Sequence, residues 1–86
     1  MEQRSHYELY GARSCPYTQE LREWLDWKGY HYVEFDVEAD AAALDRMLSL
    51  SRGQRTVPVL VEDGQVSQIG WQGRGCIVGP AAGSSR

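Results

Sequence analysis

Cys15, in the stretch ARSCPYTQEL (residues 12–21), is the side chain with the clearest route to chemistry. Pro16 follows it and suits the first position of a helix, where the missing N–H costs nothing. As the cap of a helix beginning at Pro16, Cys15 would face the backbone N–H groups of Tyr17 and Thr18, which have no partner inside the helix. Those groups and the positive end of the helix dipole favour thiolate over thiol, and the thiolate is the nucleophile in disulfide exchange. Arg13 can add positive charge, and Thr18 is placed to donate a hydroxyl hydrogen bond to the sulfur. A dithiol motif would carry its second cysteine at position 18; threonine there leaves Cys15 without a close partner. The alternative for any lone cysteine is a small buried residue, but a position between a strand and a helix-starting proline favours the reactive reading.

Cys76, the other cysteine, follows the glycine-rich run IGWQGRG. It is either a remote resolving thiol or a small apolar residue packed beside Ile77 and Val78, and packing is the expectation. So few cysteines, so far apart, are expected to be free rather than a structural staple. Two sulfurs can join only if their Cα atoms come within about 7 Å. Cys15, Cys76, His6 and His31 are scattered with no zinc-like spacing, so no metal site is expected. The carboxylates are spread along polar faces, with no pair placed for acid–base work.

The elements that must position Cys15 follow from pattern. HYELY (6–10) reads as a strand, and residues 16–28 as a helix with Tyr17, Leu21, Trp24 and Leu25 on one stripe, Trp27 partly exposed and Gly29 as its stop. HYVEFDV (31–37) reads as a second strand. Asp40 caps a second helix over 41–51, with Leu44, Met47 and Leu48 on one face. VPVLVE (57–62) reads as a central strand with Pro58 confined to its beginning or an unpaired side, and Asp63-Gly64 as a hairpin turn into QVSQI (65–69). A short helix is possible at 72–78. The order β-α-β-α-β-β predicts an α/β fold with a mixed four-stranded sheet: the first two strands parallel, the last two antiparallel.

The 86 residues predict one small domain, over 1–78, with a flexible tail at 79–86. A net charge of −3 with no basic stripe argues against nucleic acid and against an anionic membrane surface. MEQRSHYELY lacks the apolar core of a signal peptide, and no apolar run approaches spanning length. A cytoplasmic monomer is the expectation.

SCPYT after a short strand, GQRTVPVLV about forty residues later, the EDG hairpin and a glycine after the last strand resemble glutaredoxins, within the thioredoxin-like fold. The resemblance covers residues 6–70. It implies a cis Val57-Pro58 bond beside the cysteine and glutathione as cosubstrate, with no permanently bound cofactor. It implies that the Val57 backbone in the Thr56-Val57-Pro58 motif pairs with the cysteinyl part of glutathione. Tyr17 would line the groove, Gln54 and Arg55, helped by Arg13, would meet its glycine carboxylate, and Gly70 would border it. With Thr18 in place of the second cysteine, it implies a one-cysteine route: Cys15 takes glutathione from a mixed disulfide, and a second glutathione releases it. Trp71 after Gly70, and Arg74 where acidity is usual, depart from the family's γ-glutamyl contacts, and the final helix is short or absent. Two other functions fit such a chain: a glutathione-assisted [2Fe–2S] carrier, which Pro16 would crowd, and a non-catalytic binding module.

Overall fold

The computed structural model describes residues 5–79. The element order is β1 (Tyr7–Gly11), α1 (Pro16–Lys28), β2 (Tyr32–Asp36), α2 (Ala41–Ser51), β3 (Thr56–Val57), β4 (Val59–Glu62), β5 (Gln65–Ile69) and β6 (Cys76–Ile77). Four strands form a mixed sheet in the order β2-β1-β4-β5, with β1 parallel to β2 and antiparallel to β4, and β4 antiparallel to β5. The mixed four-stranded sheet is the one the predicted order implied, and the fold is thioredoxin-like, as the resemblance implied.

Both helices fall on their predicted spans because their ends carry strong local signals. Pro16 opens α1, and Gly29 closes it in the left-handed conformation (φ 81°), which glycine adopts without steric cost. The Asp40 carboxylate accepts the N–H groups of Ala42 and Ala43 at the start of α2, at 3.0 and 3.2 Å. The Asp63-Gly64 turn has positive φ at both residues (53° and 81°), the geometry that matches the twist of a two-residue hairpin.

Alternation along β1 divides the core between the two faces of the sheet. Leu9 packs with Leu21 and Leu25 of α1 and Leu60 of β4. Tyr10 faces the other way, into a cluster with Met47, Leu44, Val59 and Val61 that also takes in Cys15, Val57 and Val78. Burying each of these aliphatic side chains contributes about 1.5–3 kcal/mol, and Cys15 is set in the larger of the two clusters. Trp24 packs against the Leu9 cluster, and Trp27 is 77% exposed.

Two sequence expectations change, and a third falls outside the described residues. The run 57–62 is not one strand: Pro58 has no N–H for the ladder, and the chain divides there into β3 and β4, with the Val57–Pro58 bond cis as the resemblance implied. Residues 72–78 hold no helix; Trp71 and Arg74 form a bridged turn that returns the chain as β6, antiparallel to β3. The turn uses positive φ at Gln72 (52°) and Gly73 (80°). The tail expected at 79–86 lies, beyond Gly79, outside the described residues.

One buried polar pair gives a pH prediction. The Tyr10 hydroxyl donates to the Glu8 carboxylate at 2.8 Å. Burial first, then that bond, pushes its pKa up to about 12 from 10.0. The unfolded chain releases this proton near 10 and the folded chain holds it, so the contribution is complete below pH 10.0 and is lost as pH rises toward 12. The urea midpoint should therefore fall across that range, and Tyr10→Phe should shrink the fall. Tyr32, hydrogen-bonded to Asp26 at 2.8 Å and likewise raised to about 12, and Tyr7, raised by burial and then by Glu62, contribute to the remainder. An equally steep fall in Tyr10→Phe would remove Tyr10 from this account.

Candidate active site

The connection from β1 to α1 is set by two residues that must touch. A Cβ at Gly11 would overlap the Thr18 methyl, so only glycine lets the end of the strand approach the first turn of the helix. Thr18 is fully buried, and its hydroxyl accepts the Ala12 N–H at 3.3 Å. The hydroxyl oxygen thus fixes the strand-to-helix loop that carries the cysteine, a role beyond the one expected of it. The Cys15 N–H donates to Ala12 O at 3.1 Å, and Cys15 takes the cap position in extended backbone (φ −89°, ψ 115°). Its side chain accepts no capping hydrogen bond from α1. The expectation that the Tyr17 and Thr18 N–H groups bond the sulfur is therefore not met in this state.

The reason is that Cys15 Sγ is joined to Cys76 Sγ, with Cα atoms 5.9 Å apart, inside the range a disulfide requires. The expectation of free cysteines changes with it: Cys76 packs half-buried against the core as expected, and it is bonded to Cys15 as well. The cause is topological. The Trp71–Arg74 turn lays β6 on β3 in a register that sets Cys76 opposite Val57, beside the cap of α1. Cys15 is 2% exposed and its sulfur lies 3.9 Å from the Val57 carbonyl oxygen.

The β6 segment is held along its length. The Val78 N–H donates to Arg55 O at 2.9 Å, and the Arg55 guanidinium donates to Gly79 O at 3.1 Å. Val78 is buried in the core cluster around Tyr10, whereas Ile77, on the opposite side of the strand, is 76% exposed. Gly75 lies so close to β3 that a Cβ there would fall 2.6 Å from both Val57 O and the Thr56 methyl. The Gly70 N–H donates to Pro58 O at 2.7 Å, and a Cβ on Gly70 would stand 2.7 Å from Arg74 O.

The residues that the resemblance assigned to glutathione are partly dispersed. Thr56, Val57, Pro58 and Gly70 gather around the disulfide. Arg55 is engaged with Gly79, and Gln54 is exposed, its carbonyl accepting from Ser51. Arg13 is exposed at a cavity of about 460 Å³ that it shares with Arg22, Glu34 and Asp36. Tyr17 lines a groove of about 240 Å³ with Glu20, Trp71, Gln72 and Arg74. Trp71 leans on Trp24, their ring centres 5.8 Å apart. The sequence reading missed β6, although its signal is present: a Gln-Gly pair and then the strand-favouring Cys-Ile-Val.

A dithiol that opens and closes between these two sulfurs can exchange disulfides and move two electrons. Comparison with known proteins gives the family. The glutaredoxin family model matches residues 7–67. A probable glutaredoxin of Synechocystis, slr1562, is 33% identical over 57 residues, 65% of this chain; the match spans about half (52%) of that relative's length. A glutaredoxin-like protein of the rubredoxin operon of Clostridium pasteurianum is 32% identical over 59 residues, 69% of this chain and 77% of the relative. Among solved structures, the thioredoxin-like protein BC3987 superposes with a TM-score of 0.68 at 36% identity, over 77% of this chain and 88% of its own. Glutaredoxin 1 of Francisella tularensis gives 0.56 at 19% identity, over 79% and 85%, a likeness of fold alone. The family match ends at residue 67 and leaves Cys76 outside it.

Proposed function

We propose that this chain, which belongs to the glutaredoxin family, is a thiol–disulfide oxidoreductase that reduces glutathione mixed disulfides through Cys15, with Cys76 as its resolving thiol. The observation that carries this reading is the Cys15–Cys76 bond at the start of α1. Threonine at position 18 excludes the usual short-range partner, and the fold supplies one from 61 residues away.

In the reduced chain Cys15 stands at the start of α1, where the unpartnered first-turn N–H groups and the positive end of the helix dipole stabilise a thiolate. That thiolate attacks the glutathione sulfur of a mixed disulfide. A Cys15–glutathione bond forms, the target's thiolate leaves, and it takes a proton from water. The Cys76 thiolate then attacks Cys15 Sγ, releasing glutathione and forming the Cys15–Cys76 bond. Two further glutathione molecules restore the dithiol. The first opens the bond as a mixed disulfide, and the second leaves with it as oxidised glutathione, so that two electrons enter for the two spent. The groove of Tyr17, Glu20, Trp71, Gln72 and Arg74 supports this cosubstrate, since it sets charges of both signs beside aromatic surface for a zwitterionic peptide. The cytoplasm, with its glutathione pool, is the compartment we propose.

The test is an intact mass with peptide mapping after the reduced protein meets oxidised glutathione. Wild type should end with the Cys15–Cys76 disulfide and no retained glutathione. Cys76→Ser should retain one glutathione, mapped to Cys15. A Cys76→Ser protein that stays unmodified, or carries glutathione elsewhere, would overturn the reading.

A further inference from the structure

We propose that β6 is an internal copy of the segment this chain recognises in its protein partners, and that such a partner presents an extended strand with glycine before its reactive cysteine and a valine-sized β-branched residue two positions after it. The inference rests on Cys15 being the nucleophile, as proposed above, and it adds a second substrate: a partner disulfide that Cys15 attacks at the partner's own sulfur rather than at a glutathione sulfur, with the partner's sequence class named.

The site as it stands is filled by residues 75–79, Gly-Cys-Ile-Val-Gly. Each position meets a distinct demand. At Gly75 a side chain has no room, because even a Cβ would press on the backbone oxygen of Val57 and the methyl of Thr56. At Cys76 the sulfur reaches Cys15 while the backbone faces Val57. Ile77 points to solvent and is free to vary. Val78 fills a place in the core with 2% exposure, and its N–H is bound by Arg55 O. Gly79 offers a carbonyl to the Arg55 side chain. β6 is only two residues long and forms no part of the four-stranded sheet, so it can leave without breaking that sheet. What it uncovers is a strand edge, and strand edges bind peptides by completing the ladder, with side-chain pockets setting specificity.

The arm and a partner strand need the same edge, so the two exclude each other. A partner disulfide enters when the reduced arm is off β3. Cys15 attacks the cysteine opposite Val57, and the partner's other sulfur leaves as thiolate. When Cys76 then attacks Cys15 Sγ, the partner's cysteine leaves as thiolate and β6 retakes the edge. Release of the partner and resolution of the disulfide become one strand exchange. In the oxidised state the site is closed by its own chain.

The test uses the full-length Cys76→Ser protein and three blocked pentapeptides, each with its cysteine activated as the thionitrobenzoate mixed disulfide: Gly-Cys-Ile-Val-Gly, Ala-Cys-Ile-Val-Gly and Gly-Cys-Ile-Pro-Gly. The alanine adds the Cβ that Gly75 cannot carry, and the proline deletes the N–H that Arg55 O accepts. Release of thionitrobenzoate reports the attack by Cys15. The first peptide should react about tenfold faster than either comparator, the effect of losing one buried hydrogen bond or one steric fit. Equal rates for all three would overturn the inference and leave the oxidoreductase reading intact. No reaction with any of them, in a protein whose circular dichroism shows it folded, would overturn both.

Discussion

Cys15→Ser should bring the reduction of a glutathione mixed disulfide down to the uncatalysed background, a loss on the order of a thousandfold, because a serine hydroxyl at neutral pH is not a nucleophile toward sulfur. Cys76→Ser should behave differently. It keeps the first attack, and it removes the internal thiol that clears Cys15. Its turnover should therefore become proportional to glutathione concentration over a range where the wild-type resolving step is independent of it. The measurement is the initial rate of a cysteine–glutathione mixed disulfide against glutathione concentration for the three proteins. A Cys15→Ser enzyme keeping a tenth of wild-type turnover would move the nucleophile elsewhere. A Cys76→Ser enzyme with the wild-type concentration dependence would return the chain to a one-cysteine cycle.

The second large effect is on stability. The bond joins residues 61 apart, and in the chain-entropy model closing a loop of that size restricts the unfolded chain enough to contribute about 4 kcal/mol. A domain of this length has roughly 4–13 kcal/mol in all, so reduction removes a large share. Thermal unfolding of wild type should drop by about 15 °C or more on adding a reductant. Cys76→Ser should start near the reduced value and not respond to reductant. A shift of only a degree or two in wild type would mean that the reduced arm holds β3 nearly as well as the bonded one.

Most of the scaffold was legible because its signals are local. Pro16 and Gly29 bracket α1, Asp40 starts α2, and Asp63-Gly64 folds β4 onto β5; each acts within a few residues of itself. Cys15 was legible for the same reason, since its neighbours alone place it at a helix cap. What escaped was non-local. In VPVLV the valines and leucine favour a strand throughout; Pro58 marks a local limit on the ladder, but not that Val57 goes to a different sheet from Val59. Thr18 was read against the sulfur next to it in the motif, and its contacts with Gly11, seven residues back at the end of the strand, and with Ala12, six residues back in the loop that follows, were not foreseen. The pairing of Cys76 depends on a turn at 71–74 and a register on β3 that only tertiary packing selects. That run was read as a possible short helix. Two of its glycines are close contacts: Gly70 against Arg74, and Gly75 against Thr56 and Val57.

The position of the disulfide also changes how the chain is connected. From Cys15 to Cys76 the backbone and the sulfur bridge form one closed covalent ring, which contains both helices and strands β2 to β5. β1 lies outside the ring in sequence, yet in the sheet it runs between β2 and β4, gripped on both edges by strands of the ring. While the bridge stands, a single cut in a surface turn such as 52–53 or 63–64 leaves one molecule, because the sulfurs serve as a second backbone. Once the bridge is reduced, the same cut leaves two pieces that only hydrogen bonds and packing hold together.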